Sequence, residues 1–221
     1  MAERPDHDWP WLPPPGGTPA TGGAASLSED LARRLFEQRV VLMHGPLDDV
    51  TATRVSAELM TLDAEGDEPV TLRVDCGEAP LAPALALMDV VELMGVPVHA
   101  LCLGQVAAGA VGVVAVCAHR SALPSTRFSF TEPATQFESH VRNVAQWADL
   151  RADERRRFCA RVASAAGRPA AAVEEDLTRG RFFGATEALE YGLLDEVARA
   201  DAAIRRLPGS DTPSIGFRPT H

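Results

Sequence analysis

The sequence predicts an α/β domain on a mostly parallel sheet. Short apolar runs of strand length alternate with helix-period segments across residues 27–200, and a run of small residues over 105–119 reads as a helix deep in the core. Strands alternating with helices imply parallel pairing and right-handed crossovers. The 221 residues, 46% apolar and 24% charged, suit one such domain with a sizeable core plus tails.

Residues 1–25 are rich in Pro, Gly, Ala and Thr and read as a disordered tail. Ser26-Leu27-Ser28-Glu29 has the capping-box pattern, and Leu27, Leu31 and Leu35 follow at helical spacing. Residues 39–47 read as a buried strand ending in a Gly-Pro turn. Residues 48–66 read as a helix capped by Asp48 or Asp49, with Ala52, Val55, Leu59 and Leu62 on one face. A strand over 69–77, an apolar helix over 80–95 closed by Gly95, and a strand over 97–104 come next. The small-residue helix 105–119 follows, then two extended pieces within 120–133 around Leu123-Pro124. A long polar helix covers about 140–166, and residues 169–178 precede a last helix, ATEALEYG. Residues 201–221 read as a second disordered tail, so the domain spans 26–200.

The net charge of −10 and a pI near 5.0 argue against a nucleic-acid or anionic-membrane surface. There is no lysine, which excludes Schiff-base chemistry and Ser–Lys dyads. Cys76, Cys102, Cys117 and Cys159 show no CxxC or metal-site spacing and read as buried, reduced thiols of a cytoplasmic protein. The first residues lack a basic region or apolar run, so no signal peptide is expected, and no segment is apolar enough to span a membrane. No cofactor and no metal is expected.

Four motifs carry a resemblance. Gly45-Pro46-Leu47-Asp48 is similar to G-P-I-D, and Cys102-Leu103-Gly104-Gln105-Val106-Ala107-Ala108 to C-I-G-Q-A-A-S. Ala122-Leu123-Pro124-Ser125-Thr126-Arg127 is similar to A-L-P-N-S-R. Arg181-Phe182-Phe183, Glu187-Ala188 and the run Tyr191-Gly192-Leu193-Leu194-Asp195-Glu196 are similar to R-x-F…E-A-x-x-Y-G-L-I-D. Together, in order and spacing over 31–197, they resemble ClpP, the proteolytic subunit of the ATP-dependent Clp protease, within the ClpP/crotonase superfamily. The resemblance implies a spiral of β-β-α units with a protruding helical handle over about 134–166.

It also implies a peptidase built on Ser, His and Asp with a backbone oxyanion hole. None of the three side chains is present. The nucleophile position is Ala108, and residues 105–119 contain no serine or threonine, so no shift of register supplies a hydroxyl. The base position is Thr131 and the acid position is Gly180. The oxyanion donors fall on Ala79 and Gly109, with Glu78 in place of a loop glycine and residues 134–140 in place of a glycine-rich strand. The resemblance therefore implies a pseudo-peptidase that joins a ring with itself or an active ClpP paralogue and meets a Clp ATPase.

Replacements are few. Ser129 shares a strand face with Thr131, but no histidine is expected beside it. His119 and His140 read as surface residues, His44 and His99 as packed or hydrogen-bonded strand residues, and Cys102 as packing. Glu132 and Glu78 keep open a crotonase-like acyl-CoA chemistry. The run Arg155-Arg156-Arg157 reads as a solvated face or a subunit contact.

Overall fold

A computed structural model describes residues 22–131 and 144–198. The chain divides into two units, residues 1–38 and 39–221. The first contains α1 (Gly22–Glu37), in which Arg33 bridges Asp30 and Glu37. α1 starts at Gly22, inside the segment read as a tail, so Ser26 lies within the helix and not at its cap. The alanines at 24 and 25 are strong helix formers and extend it backwards.

The second unit holds β1 (Val40–His44), α2 (Asp49–Glu65), β2 (Val70–Cys76), α3 (Leu81–Leu93), β3 (Val98–Ala107), α4 (Ala108–Ala115), β4 (His119–Ala122) and β5 (Arg127–Phe130). There follow α5 (Val144–Ala166), α6 (Ala170–Arg179), β6 (Arg181–Gly184), α7 (Ala185–Tyr191) and β7 (Glu196–Val197). The sheet runs β1-β2-β3-β4-β7 with every pair parallel; β5 joins β3 in parallel and β6 closes on β5 antiparallel. This is the mixed α/β architecture that the resemblance implied. The early handle residues, 132–143, and both expected tails beyond 22 and 198 lie outside the described residues.

Strand periodicity places the core. Along β2, Val70, Leu72, Val74 and Cys76 are buried while the residues between them are half-exposed. Asp48 caps α2 by accepting the Thr51 N–H at 2.8 Å, and Ala52, Val55, Leu59 and Leu62 form its buried face, as their spacing required. α4 is buried along its whole length. Its small residues allow this: a Cβ on Gly112 would stand 2.9 Å from Met88 Sδ of α3 and closer still to the Phe158 ring of α5.

Two features differ from the sequence reading. The helix expected over 105–119 begins only at Ala108, because Gln105, Val106 and Ala107 continue β3 and pair with Arg127, Phe128 and Ser129 of β5. Residues 181–184, left unassigned between helices, form β6, in register from Arg127↔Gly184 to Phe130↔Arg181.

Candidate functional site

The site is the junction where β3 turns directly into α4. A helix start leaves N–H groups without intrahelical acceptors. The N-cap here is Ala107, which has no side-chain acceptor to offer. A loop supplies one instead: Gly109 N–H donates to the Ala79 carbonyl at 3.2 Å. Ala79 belongs to the short connection between β2 and α3. That connection is itself fixed, because the Glu78 carbonyl accepts from Leu47 N–H at 2.8 Å and from the Cys76 thiol at 3.1 Å. Ala79 and Ala108 are both 1% exposed, so the junction is closed to water.

Sheet register gathers the remaining positions. Ala107 pairs with Ser129, so the end of β3 lies beside the end of β5. Ser129 and Thr131 face each other with their hydroxyl oxygens 3.2 Å apart. β6 runs back along β5, which brings Gly180, the residue before it, to Thr131: a Cβ on Gly180 would lie 3.0 Å from Thr131 Cγ2. Gly180 closes α6 with φ +74° and ψ 104°, a conformation that glycine adopts freely and other residues do not. The three positions marked by the resemblance thus come from three elements meeting at one edge of the sheet, and they carry a methyl, a methyl-bearing hydroxyl and no side chain.

The described histidines, His44, His99 and His119, stand elsewhere. Of the two alternatives expected for His44, packed or hydrogen-bonded, the structure excludes packing: its side chain is 76% exposed at the end of β1, with Nδ1 paired with Asp75 Oδ2 at 3.4 Å. The strand ends there and the Gly45 turn follows, which leaves the ring largely uncovered among the described residues. His99 stacks edge-on with His119, centroids 5.7 Å apart. His99 lies near the opposite end of β3 from Ala107, eight residues along the strand. His119 pairs with Glu196 at 3.2 Å and approaches Asp195 at 3.9 Å, tying β4 to β7. His140 and Glu132 lie outside the described residues.

Cys102 and Cys117 are buried, and burial is the main cause holding both thiols protonated, Cys117 with its pKa pushed up to about 12. A thiol so placed is no nucleophile. Burial likewise raises Cys76. Among the described residues no group of three or more His, Cys, Asp or Glu is arranged to hold a metal ion. No helix among them is long and apolar enough to cross a membrane.

Two contacts escaped the sequence reading. Asp75 Oδ1 accepts from Gln105 N–H at 3.0 Å, and Gly104, at φ +50°, fits there because it has no Cβ, which would lie 2.5 Å from Asp75 Oδ1. The glycine at 104 was visible, but it was absorbed into a motif and not read as a bulge. The Gly109–Ala79 contact was signalled by a glycine two residues after a cap position that lacks a polar side chain, a conjunction that sequence spacing does not reveal as contact.

The model of the Clp protease family matches residues 23–201. The chain is similar to the "ATP-dependent Clp protease proteolytic subunit 2" of Thermobifida fusca (strain YX), 32% identical over 174 residues, covering 76% of this chain and 85% of that protein. It is also similar to the "ATP-dependent Clp protease proteolytic subunit 1" of Nocardia farcinica (strain IFM 10152), 32% identical over 173 residues, covering 76% of this chain and 87% of that protein.

Proposed function

Because this chain belongs to the Clp protease family, we propose that it is a proteolytic-subunit homologue that enters a Clp-type ring as a structural or regulatory member and performs no serine-peptidase turnover. The observation that carries this reading is Ala108, a buried methyl at the first residue of α4, where the resemblance places the attacking hydroxyl. Acyl transfer by this machinery needs a hydroxyl, an imidazole to take its proton and a carboxylate to orient the imidazole. Ala108, Thr131 and Gly180 supply none of these. The ring would form in the cytoplasm from this chain alone or with an active ClpP paralogue. Its ATPase partner is inferred from the "ATP-dependent" names of its relatives. The serine nearest in position for a peptidase with displaced residues is Ser129, whose hydroxyl meets that of Thr131.

Pure full-length chain, incubated with a fluorogenic peptide and a fluorophosphonate probe, is expected to show background hydrolysis and no labelled serine. Native mass measurement, alone and mixed with an active proteolytic subunit from the same cell, is expected to show rings. Stoichiometric labelling of Ser129 would overturn the inactive assignment, and a strict monomer in both conditions would overturn the ring.

A further inference from the structure

The geometry points to a built-in latch: the connection over residues 76–80 is closed onto the start of α4, and the missing side chain of Gly109 is what lets it close. Two independent features support this. First, α4 has no side chain that can cap it, so the Ala79 carbonyl, which accepts the Gly109 N–H at 3.2 Å, does so from outside the helix. Second, the approach is closer than any side chain would permit, since a Cβ on Gly109 would lie 2.5 Å from the Ala79 oxygen and 2.8 Å from the Pro80 oxygen. Both obstacles are backbone atoms, so no rotamer change relieves them.

The contact reverses the polarity of the junction. Stabilising a developing oxyanion requires N–H groups aimed at it. Here one of the two N–H groups assigned to that task is consumed by a carbonyl, and a second carbonyl stands beside it. The same closure would deny polarisation to a peptide carbonyl and to a thioester carbonyl alike. The latch is held from behind through the Glu78 carbonyl, on which Leu47 N–H and the Cys76 thiol converge. Cys76 therefore reports on it. The inference rests on reading this junction as the family's reaction centre, but its test reads the loop and not turnover, so the two stand or fall separately.

The full-length variant Gly109→Ala is compared with the natural chain by timed alkylation with iodoacetamide and peptide mapping, with Cys102, Cys117 and Cys159 as buried internal controls. Opening of the loop is expected to raise the Cys76 rate at least tenfold relative to those three. An unchanged Cys76 rate in a folded variant overturns the proposal. Should all four cysteines become reactive, the variant has unfolded and the natural chain decides: residue-resolved amide exchange is expected to show Gly109 protected at least a hundredfold, against the fast exchange of an uncapped first turn. Fast exchange at Gly109 overturns the latch.

Discussion

Restoring a hydroxyl at Ala108 adds a single oxygen, yet the surroundings would leave it inert. Triad members act as a unit, and residual catalysis from binding and oxyanion contacts alone reaches only ~10³–10⁴-fold over water. Ala108→Ser is accordingly expected to stay at background in a fluorogenic peptide assay; robust hydrolysis by this single variant would reveal a base in reach of position 108. Gly180 resists repair for a different reason. At φ +74°, with Thr131 Cγ2 3.0 Å from the site of any Cβ, an aspartate there carries backbone strain of about 1–3 kcal/mol before any interaction with an imidazole is gained. Gly180→Asp should therefore lower the midpoint of denaturant unfolding with its slope unchanged. An unshifted midpoint would show that the turn relaxes. The combination of Ala108→Ser, Thr131→His and Gly180→Asp is expected to remain weakly active at best, because the Gly109 N–H is already engaged.

Helix ends and strand ends set the stability of individual elements. α2 ends at Glu65, and its last carbonyls are collected by a remote arginine: Arg39 donates to Leu62 O at 3.0 Å, Gly66 O at 3.2 Å and Glu68 O at 3.0 Å. Hydrogen bonds to charged groups contribute roughly 1.5–3 kcal/mol, and Arg39→Ala should cost stability at the low end of that range, since water can replace part of the set. Chemical denaturation measures it. β7 is only two residues long and depends on Arg120, whose guanidinium and backbone N–H hold Asp195. The hydrogen bond from the Arg120 side chain is the largest cause that lowers the Asp195 pKa. A lowered carboxyl contributes stability that is present above its unfolded pKa of about 3.9 and is lost as pH falls through the lower folded value. Thermal melts taken between roughly pH 5 and pH 3 should therefore fall more steeply in the natural chain than in Asp195→Asn. Equal slopes would mean that Asp195 makes no linked contribution. Most of these elements were legible beforehand. α2 and α3 lay within a residue or two of their bounds, since Asp48 and the 3.6-residue spacing fix the first and a continuous apolar face the second. β6 was missed because a four-residue strand that follows Gly180 and ends in Gly184 carries too few alternations to register, and β3 was cut short because Gln105-Val106-Ala107 is as compatible with a helix start as with a strand. The residues at the three positions that the resemblance marks were fully readable; the engaged state of Gly109, a matter of contact across residues 79 and 109, was not.

At the scale of the molecule, charge and assembly meet on α5. Its arginines are largely matched within the chain: Arg156 and Arg157 pair with Asp153, Arg151 with Glu154, Arg155 with Glu174 on α6, and Arg161 with Asp89 on α3. Exposed pairs of this kind are worth little, about 0–1 kcal/mol each, and are weakened by salt. A contact role for the 155–157 run thus requires these internal pairs to exchange partners. Native mass measurement of a mixed ring at about 50 mM and 500 mM salt tests this: strong salt dependence that disappears in Arg156→Ala/Arg157→Ala assigns the run to an interface, and its persistence in that variant assigns it to solvation. α5 is also seated by packing, with Phe158 against the bare Cα of Gly112, so its placement is coupled to the helix that begins at Ala108.

The two crowded glycines have a consequence for mutational paths. At Gly109 and Gly180, any replacement by a residue with a Cβ meets atoms already in place, backbone oxygens in one case and a threonine methyl in the other. The step from Gly180 to a carboxylate is therefore expected to lose stability at once, with no turnover gained from that change alone. Under selection for proteolysis, side chains are expected at Gly109 only after a change in the 76–80 connection, and at Gly180 only after a change at Thr131.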